Sequence, residues 1–180
     1  MKKLTLLRHA KSSWDDPVTR DFDRPLNDKG KRAAAVMGTF VKRGGLSFDL
    51  VLASPAQRVI ETLEHFTAAS GLSLDPQWDR KIYLASSATL MDVLRGAAPE
   101  AEHILMVGHN PGLEDLVFDL VPHGNLSGPR SAVEVKYPTA SLAELTLDIE
   151  QWADIKDDCA TFDRFTRPRD LDQELGPDYI

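Results

Sequence analysis

The sequence predicts an α/β fold of three layers, α-β-α, with a mostly parallel central sheet flanked by helices. Three short apolar runs, at residues 4–7, 49–53 and 103–107, have the length and near-continuous hydrophobicity of strands buried on both faces. Between them lie longer segments whose apolar residues recur at helical spacing, the alternation that builds a parallel sheet covered on both sides.

Taken in order, residues 4–7 (LTLL) form the first strand, and a polar loop, DDPVTRDFDRPL, follows Trp14. Asn27 or Asp28 caps a helix through about Lys42, with Ala33, Met37, Phe40 and Val41 on its buried side. Gly44 and Gly45, free to adopt positive φ, end it. Residues 49–53 (DLVLA) form the second strand, and Ser54-Pro55 opens the next helix with proline in its permitted first turn. Val59, Ile60, Leu63 and Phe66 give that helix its apolar face, and Gly71 closes it. Residues 78–83 are a short strand or irregular, residues 87–98 a helix ending before Pro99, and HILMV at 103–107 a strand. GHNPG, residues 108–112, is a turn leading into a helix over 113–121. A loop spans 122–130, and 131–149 reads as two strands, SAVEVKY and SLAELTLDI. Residues 151–180 carry Trp152, Phe162 and Phe165 with little periodicity and read as a tail laid on the surface. One domain is expected over 1–180, with its core within about 3–150.

A formal net charge of −7 argues against a general nucleic-acid binder, which needs clustered Lys and Arg; any anion must meet a local basic pocket. Cys159 is the only cysteine, so an intrachain disulfide and a multi-cysteine zinc site are excluded, and a reducing, cytoplasmic setting is expected. The apolar run behind Lys2 and Lys3 stops at Leu7, too short for a signal peptide, and no stretch reaches membrane-spanning length. Neither nucleic acid nor membrane is therefore an expected partner.

In open α/β sheets ligands bind beyond the carboxyl ends of the strands. His9 lies past the first strand, Ser54 past the second and His109 past HILMV, while Arg58 falls in the first turn of the helix after Pro55, where free backbone N–H groups favour an anion. With parallel strands, Arg8, His9, Arg58 and His109 share one rim. Guanidinium groups offer paired donors matched to phosphate oxygens. A neutral imidazole between them is a competent nucleophile for phosphorus, and a second histidine donating to the phosphoryl oxygens would stabilise the transferring group. Metal binding is the rival reading of paired histidines, but carboxylates and cysteines are missing from these strand ends and two arginines would repel a cation. His103 and His109 cannot chelate together, since six strand residues hold them roughly 20 Å apart. His65, His103 and His123 read as structural or solvated.

Arg8-His9 after a strand, SPAQR at 54–58 and GHNPG at 108–112 resemble the three motifs of the histidine phosphatase superfamily, of phosphoglycerate mutase-like fold. RHAKSSW, DRPLNDKG, IYLASSATL and GHNPGLEDL look like its small phosphohistidine phosphatase branch, a likeness running over about residues 3–150 and reaching FTRPRDL near the end. The resemblance implies His9 as nucleophile, Arg8 and Arg58 as phosphate clamps, His109 as the second phosphate-contacting histidine, and no metal or other cofactor. It makes Arg24 of DRPLN a further pocket candidate, against the plainer reading of a loop salt bridge with Asp21 or Asp23.

One departure bears on the substrate. Mutase and phosphomonoesterase members carry a glutamate after the SPxxR helix that protonates the leaving alkoxide; here DPQWDRKIYLASSATL holds Asp75, Asp79 and Tyr83 but no glutamate. Imidazole, with a reference pKa of ~6.5, departs more readily than an alkoxide. A phosphohistidine-bearing protein is therefore the expected substrate. The alternatives are a small phosphate monoester, with Asp79 or Asp15 as acid, and a non-catalytic phosphoprotein-binding module. Tyr83 is expected to pack beneath the pocket.

Overall fold

The computed structural model describes residues 1–17, 19–124 and 128–176. Position 18 of the polar loop, 125–127 of the loop expected at 122–130, and 177–180 of the expected tail lie outside the described residues. The chain runs β1 (Lys2–Arg8), α1 (Asp28–Arg43), β2 (Leu50–Ala53), α2 (Gln57–Ser70), β3 (Pro76–Trp78), α3 (Ser87–Arg95), β4 (His103–Gly108), α4 (Gly112–Leu120), α5 (Pro129–Val135), β5 (Leu142–Leu147), β6 (Ala160–Thr166) and α6 (Pro168–Leu171). The strands form one sheet in the order β3-β2-β4-β1-β5-β6. Its first four members are mutually parallel; β5 runs antiparallel to β1 and to β6.

Side-chain alternation along the strands divides the core in two. Leu7, Leu105, Val107, Val51 and Ala53 face α1 and α2, packing on Met37, Val41, Val59 and Phe66. Leu4, Leu6, Ile104, Met106 and Leu52 face the opposite side, against Leu90, Leu94, Leu113 and Leu116 of α3 and α4. Both faces are thus covered, which is why the central strands read as unbroken apolar runs.

Helix boundaries follow local chemistry. The Asn27 side chain accepts from Gly30 N–H, capping α1. Past the helix ends, Gly45 and Gly71 take positive φ, at 66° and 69°, whereas Gly44 stays at −79°. Helix α2 starts at Gln57 with Ala56 as its cap residue, so Pro55 precedes the helix rather than occupying its first turn.

Two expectations fail. SAVEVKY is not a strand: Pro129 starts the short helix α5, of which Val133 is buried while Val135 is exposed. Both sides of β5 are already taken by β1 and β6, so no place in the sheet remains beside it. Nor are residues 151–176 a surface tail. β6 pairs along β5, and Trp152 is 1% exposed, its indole donating to Ala101 C=O at 2.7 Å. The strand was hidden by an irregular register between Glu144 and Leu145, across which Phe165 pairs with Ala143 and Phe162 with Leu145. That extra residue breaks the period-two pattern.

Helices α1 and α2 approach closely at Gly38, where a Cβ would meet Phe66 O at 2.3 Å and Ala69 Cβ at 3.0 Å. Gly38→Ala is expected to push the two helices apart and cost about 1–3 kcal/mol, read as a lowered urea midpoint.

Candidate active site

The site begins with strand register. β1 pairs with β4 so that Leu7 faces Val107 and Arg8 faces Gly108, and His9 N–H then donates to Gly108 C=O at 3.1 Å. His9 and His109 therefore leave the sheet side by side, their ring centroids 5.3 Å apart. On the other side of β4, Ser54 N–H donates to Val107 C=O. The Ser54 Oγ to His109 Nε2 distance is 2.8 Å. Arg58 follows at the start of α2, with Thr62 one turn on. The Thr62 hydroxyl donates to Arg58 C=O at 2.6 Å and accepts from Ala10 N–H at 2.9 Å, tying α2 to the segment just after His9.

His9, Arg58 and His109 are 8%, 2% and 3% exposed. His9 Nδ1 lies 2.7 Å from Ala10 C=O, an acceptor, so Nδ1 carries the ring proton and Nε2 keeps a free lone pair. Ser54 Oγ accepts from Ala56 N–H and keeps both its own proton and a second lone pair, so the 2.8 Å contact with His109 Nε2 fits either tautomer; the His109 ring proton sits on Nδ1 when Ser54 donates. Among the described residues, His109 Nδ1, Arg8 Nε and Arg58 Nε are buried without a protein partner, as is Arg24 Nε nearby in the loop. Arg8 Nε and Arg58 Nε are donors, and so is His109 Nδ1 when Ser54 donates to Nε2; donors of this kind suit phosphoryl oxygens.

Burial is the largest influence on His9, partly offset by the Ala10 hydrogen bond and reinforced by the charges of His109, Arg8 and Arg58; together they bring its pKa from 6.5 to about 3. His109 likewise falls to about 3, through burial and then Arg58, with Asp21 opposing. Both imidazoles are thus neutral at physiological pH, the state a nitrogen nucleophile needs. Burial also lowers the pKa of Arg8, while Tyr137 and Glu114 favour its charge. Arg8 Nη1 donates to Tyr137 C=O at 2.8 Å.

Asp21, expected above as a salt-bridge partner for Arg24, also holds Arg58, a contact the sequence did not suggest. Arg58 donates through Nη1 to its carbonyl at 2.8 Å and through Nη2 to Oδ2 at 3.1 Å; Tyr83 O–H donates to Oδ2 at 2.5 Å and Arg24 to Oδ1 at 2.7 Å. Burial works to raise the Asp21 carboxyl pKa, but the Tyr83 and Arg24 hydrogen bonds and the Arg58 charge outweigh it and hold the group well below the usual carboxylate range. Arg24 makes the loop salt bridge that its plainer reading expects. It pairs with Asp21, donates to Ser12 Oγ at 2.8 Å, and lies 3.5 Å from the centroid of the Trp14 ring. Tyr83 packs its ring edge-on to His109 at 5.4 Å between centroids, besides its bond to Asp21. Asp79 caps the short helical turn after β3, accepting from Lys81 N–H. His103 bonds Thr5 Oγ1 at 2.7 Å, a structural role. Among the described residues no three His, Cys, Asp or Glu side chains are placed to hold a metal ion.

Residues 4–80 match the model of the histidine phosphatase superfamily, branch 1. An uncharacterised Mycobacterium tuberculosis protein, Rv1276c, is 31% identical over 167 residues, 91% of this chain and 100% of that protein. With the fold and site in hand, the chain belongs to the histidine phosphatase superfamily, and by family it is a phosphatase. Within that superfamily it falls in the small SixA-like branch. A structure from Agrobacterium tumefaciens, provisionally described as the phosphohistidine phosphatase SixA, shares 28% identity at a TM-score of 0.78, covering 93% of this chain and 98% of that one. Its provisionally described counterpart from Nakamurella multipartitia shares 28% at 0.77, covering 93% and 96%.

Two outcomes are expected. A folded-state pKa of about 3 against 6.5 in the unfolded chain means that the unfolded chain binds more protons between those values. Stability should therefore be highest above pH 6.5 and fall as pH drops towards 3, and the His9 and His109 ring resonances in NMR should show no titration near 6.5. Thr62→Val leaves Ala10 N–H buried without a partner and should cost about 1–3 kcal/mol in urea unfolding, with a fall in turnover because it loosens the link between His9 and Arg58.

Proposed function

We propose that the protein is a metal-independent phosphohistidine phosphatase acting on phosphoproteins through a covalent intermediate on His9. The observation that carries this reading is the His9 tautomer: Nδ1–H is held by Ala10 C=O at 2.7 Å, and Nε2 stays neutral beside His109, Arg8 and Arg58. Nε2 attacks the substrate phosphorus as the substrate's N–P bond breaks. The departing ring, protonated on its other nitrogen, leaves as neutral imidazole. Arg8, Arg58 and His109 Nδ1–H meet the phosphoryl oxygens. Phosphorylated His9 keeps its Nδ1 proton, so its positive ring is stabilised by Ala10 C=O. Water then attacks phosphorus, the N–P bond to His9 breaks with its electron pair returning to Nε2, and the water's proton leaves with orthophosphate.

The states of Asp21 and Asp79 favour this substrate class over an alkyl phosphate. Asp21 is held ionised by Tyr83, Arg24 and Arg58, and Asp79 is engaged as a cap, so neither is poised to protonate a strongly basic alkoxide. The SixA-like neighbours, provisionally described as phosphohistidine phosphatases, support the same choice.

His9→Ala is expected to lower kcat by on the order of 10³-fold or more while unfolding at the same urea concentration, and the wild type should trap an acid-labile, alkali-stable phosphoryl label. Hydrolysis of phosphohistidine should exceed that of sugar phosphates and persist in EDTA. Full activity of the variant overturns the nucleophile, a preference for an alkyl ester overturns the substrate, and phosphoprotein binding without phosphate release identifies a non-catalytic module.

A further inference from the structure

A cavity of about 430 Å³ opens beside the site and shares Arg8 with it. Every charged residue lining it is basic: Arg8, Lys11, Lys29, Lys136, Arg167 and Arg169. In a chain of net charge −7 this concentration is a product of tertiary structure, since the six come from the end of β1, the first turn of α1, the segment after α5 and the start of α6. Part of the charge is engaged: Lys29 donates to Gly176 C=O at 2.7 Å, and Arg167 pairs with Asp170 at 2.8 Å. Lys136 is exposed and Arg169 half-buried.

A transferred phosphoryl group is already met by Arg8, Arg58 and His109, so it gives no reason for further cations beyond Arg8. Such clustering raises the self-repulsion of the fold and creates a focused positive potential on an otherwise acidic protein. An acidic partner would be repelled by most of the surface and drawn in here. The uncharged lining includes Pro138, Pro168 and Leu175, apolar surface that suits the methylenes of a peptide better than a free inorganic polyanion.

We propose that this cavity binds acidic side chains flanking the phosphohistidine of a protein substrate, so that the enzyme selects phosphohistidine carried on an acidic surface. This rests on the phosphohistidine reading above. The test uses two phosphohistidine peptides of identical length, flanked by Glu in one and Gln in the other. At low salt the wild type should show kcat/KM about tenfold higher for the Glu peptide, a ratio that approaches unity at about 1 M salt, where the Debye length is ~3 Å. The double variant Lys136→Gln/Arg169→Gln should lower that ratio about fivefold. Measurable hydrolysis of both peptides at equal rates in the wild type, or an unchanged ratio in the double variant, overturns the proposal.

A second measurement is independent of turnover: fluorescence anisotropy of a labelled, unphosphorylated Glu peptide, with tripolyphosphate as competitor. Binding by the wild type, weakened in the double variant, is expected. If that holds while neither phosphohistidine peptide is hydrolysed, the phosphohistidine reading fails alone and the acidic-peptide site stands. Tripolyphosphate binding that depends on Lys136 and Arg169, with no Glu-peptide binding, overturns the proposal in favour of a small polyanion.

Discussion

The parallel pairing of β1 with β4 is the constraint on which the site depends, because Arg8 facing Gly108 is what delivers His9 and His109 to the same point. A slip of one residue would turn Leu7 and Val107 from the α1/α2 side of the sheet to the other, against the burial that fixes both faces. Register is thus enforced by the core, far from the chemistry, and the imidazoles inherit it. Ser54 arrives by the same logic, one strand further along, from the pairing of β2 with β4.

Gathering two arginines and two histidines in a buried place is electrostatically costly, and the structure offsets this in two ways. The histidines stay neutral, His9 with its tautomer set by Ala10 C=O and His109 bonded to the Ser54 hydroxyl. Arg58 is matched by Asp21, which also receives Arg24 and Tyr83. Arg24 in turn is held by Ser12 and the Trp14 ring. The KSSW segment therefore steadies the loop that carries the counter-ion of Arg58.

The features legible in the chain were those that repeat a local rule. Apolar runs ending on Arg8-His9, Ser54 and Gly108-His109 announce strand ends, and a covered parallel sheet makes those ends neighbours. The role of Asp21 at Arg58 was not legible: RDFDRP, residues 20–25, holds two aspartates and two arginines, and only the folded loop decides which carboxylate turns towards Arg58. The Tyr137 carbonyl that holds Arg8 is a main-chain group and leaves no mark in side-chain identity. SAVEVKY reads as a strand in isolation, and the structure makes it part of a helix because β1 and β6 already flank β5. β6 was concealed by its own irregularity, which shifts the phase of its apolar residues midway.

The sequence by itself determined the central strands β1, β2 and β4, their carboxyl ends and the four basic residues at or just past them, because hydrophobic period and turn chemistry act over a few residues at a time. Tertiary structure decided the counter-ion of Arg58, the Ser54 partner of His109, and the gathering of Lys11, Lys29, Lys136, Arg167 and Arg169 around Arg8. Those are contacts between segments far apart in the chain. Their geometry is set by how the layers pack, and no local pattern encodes it.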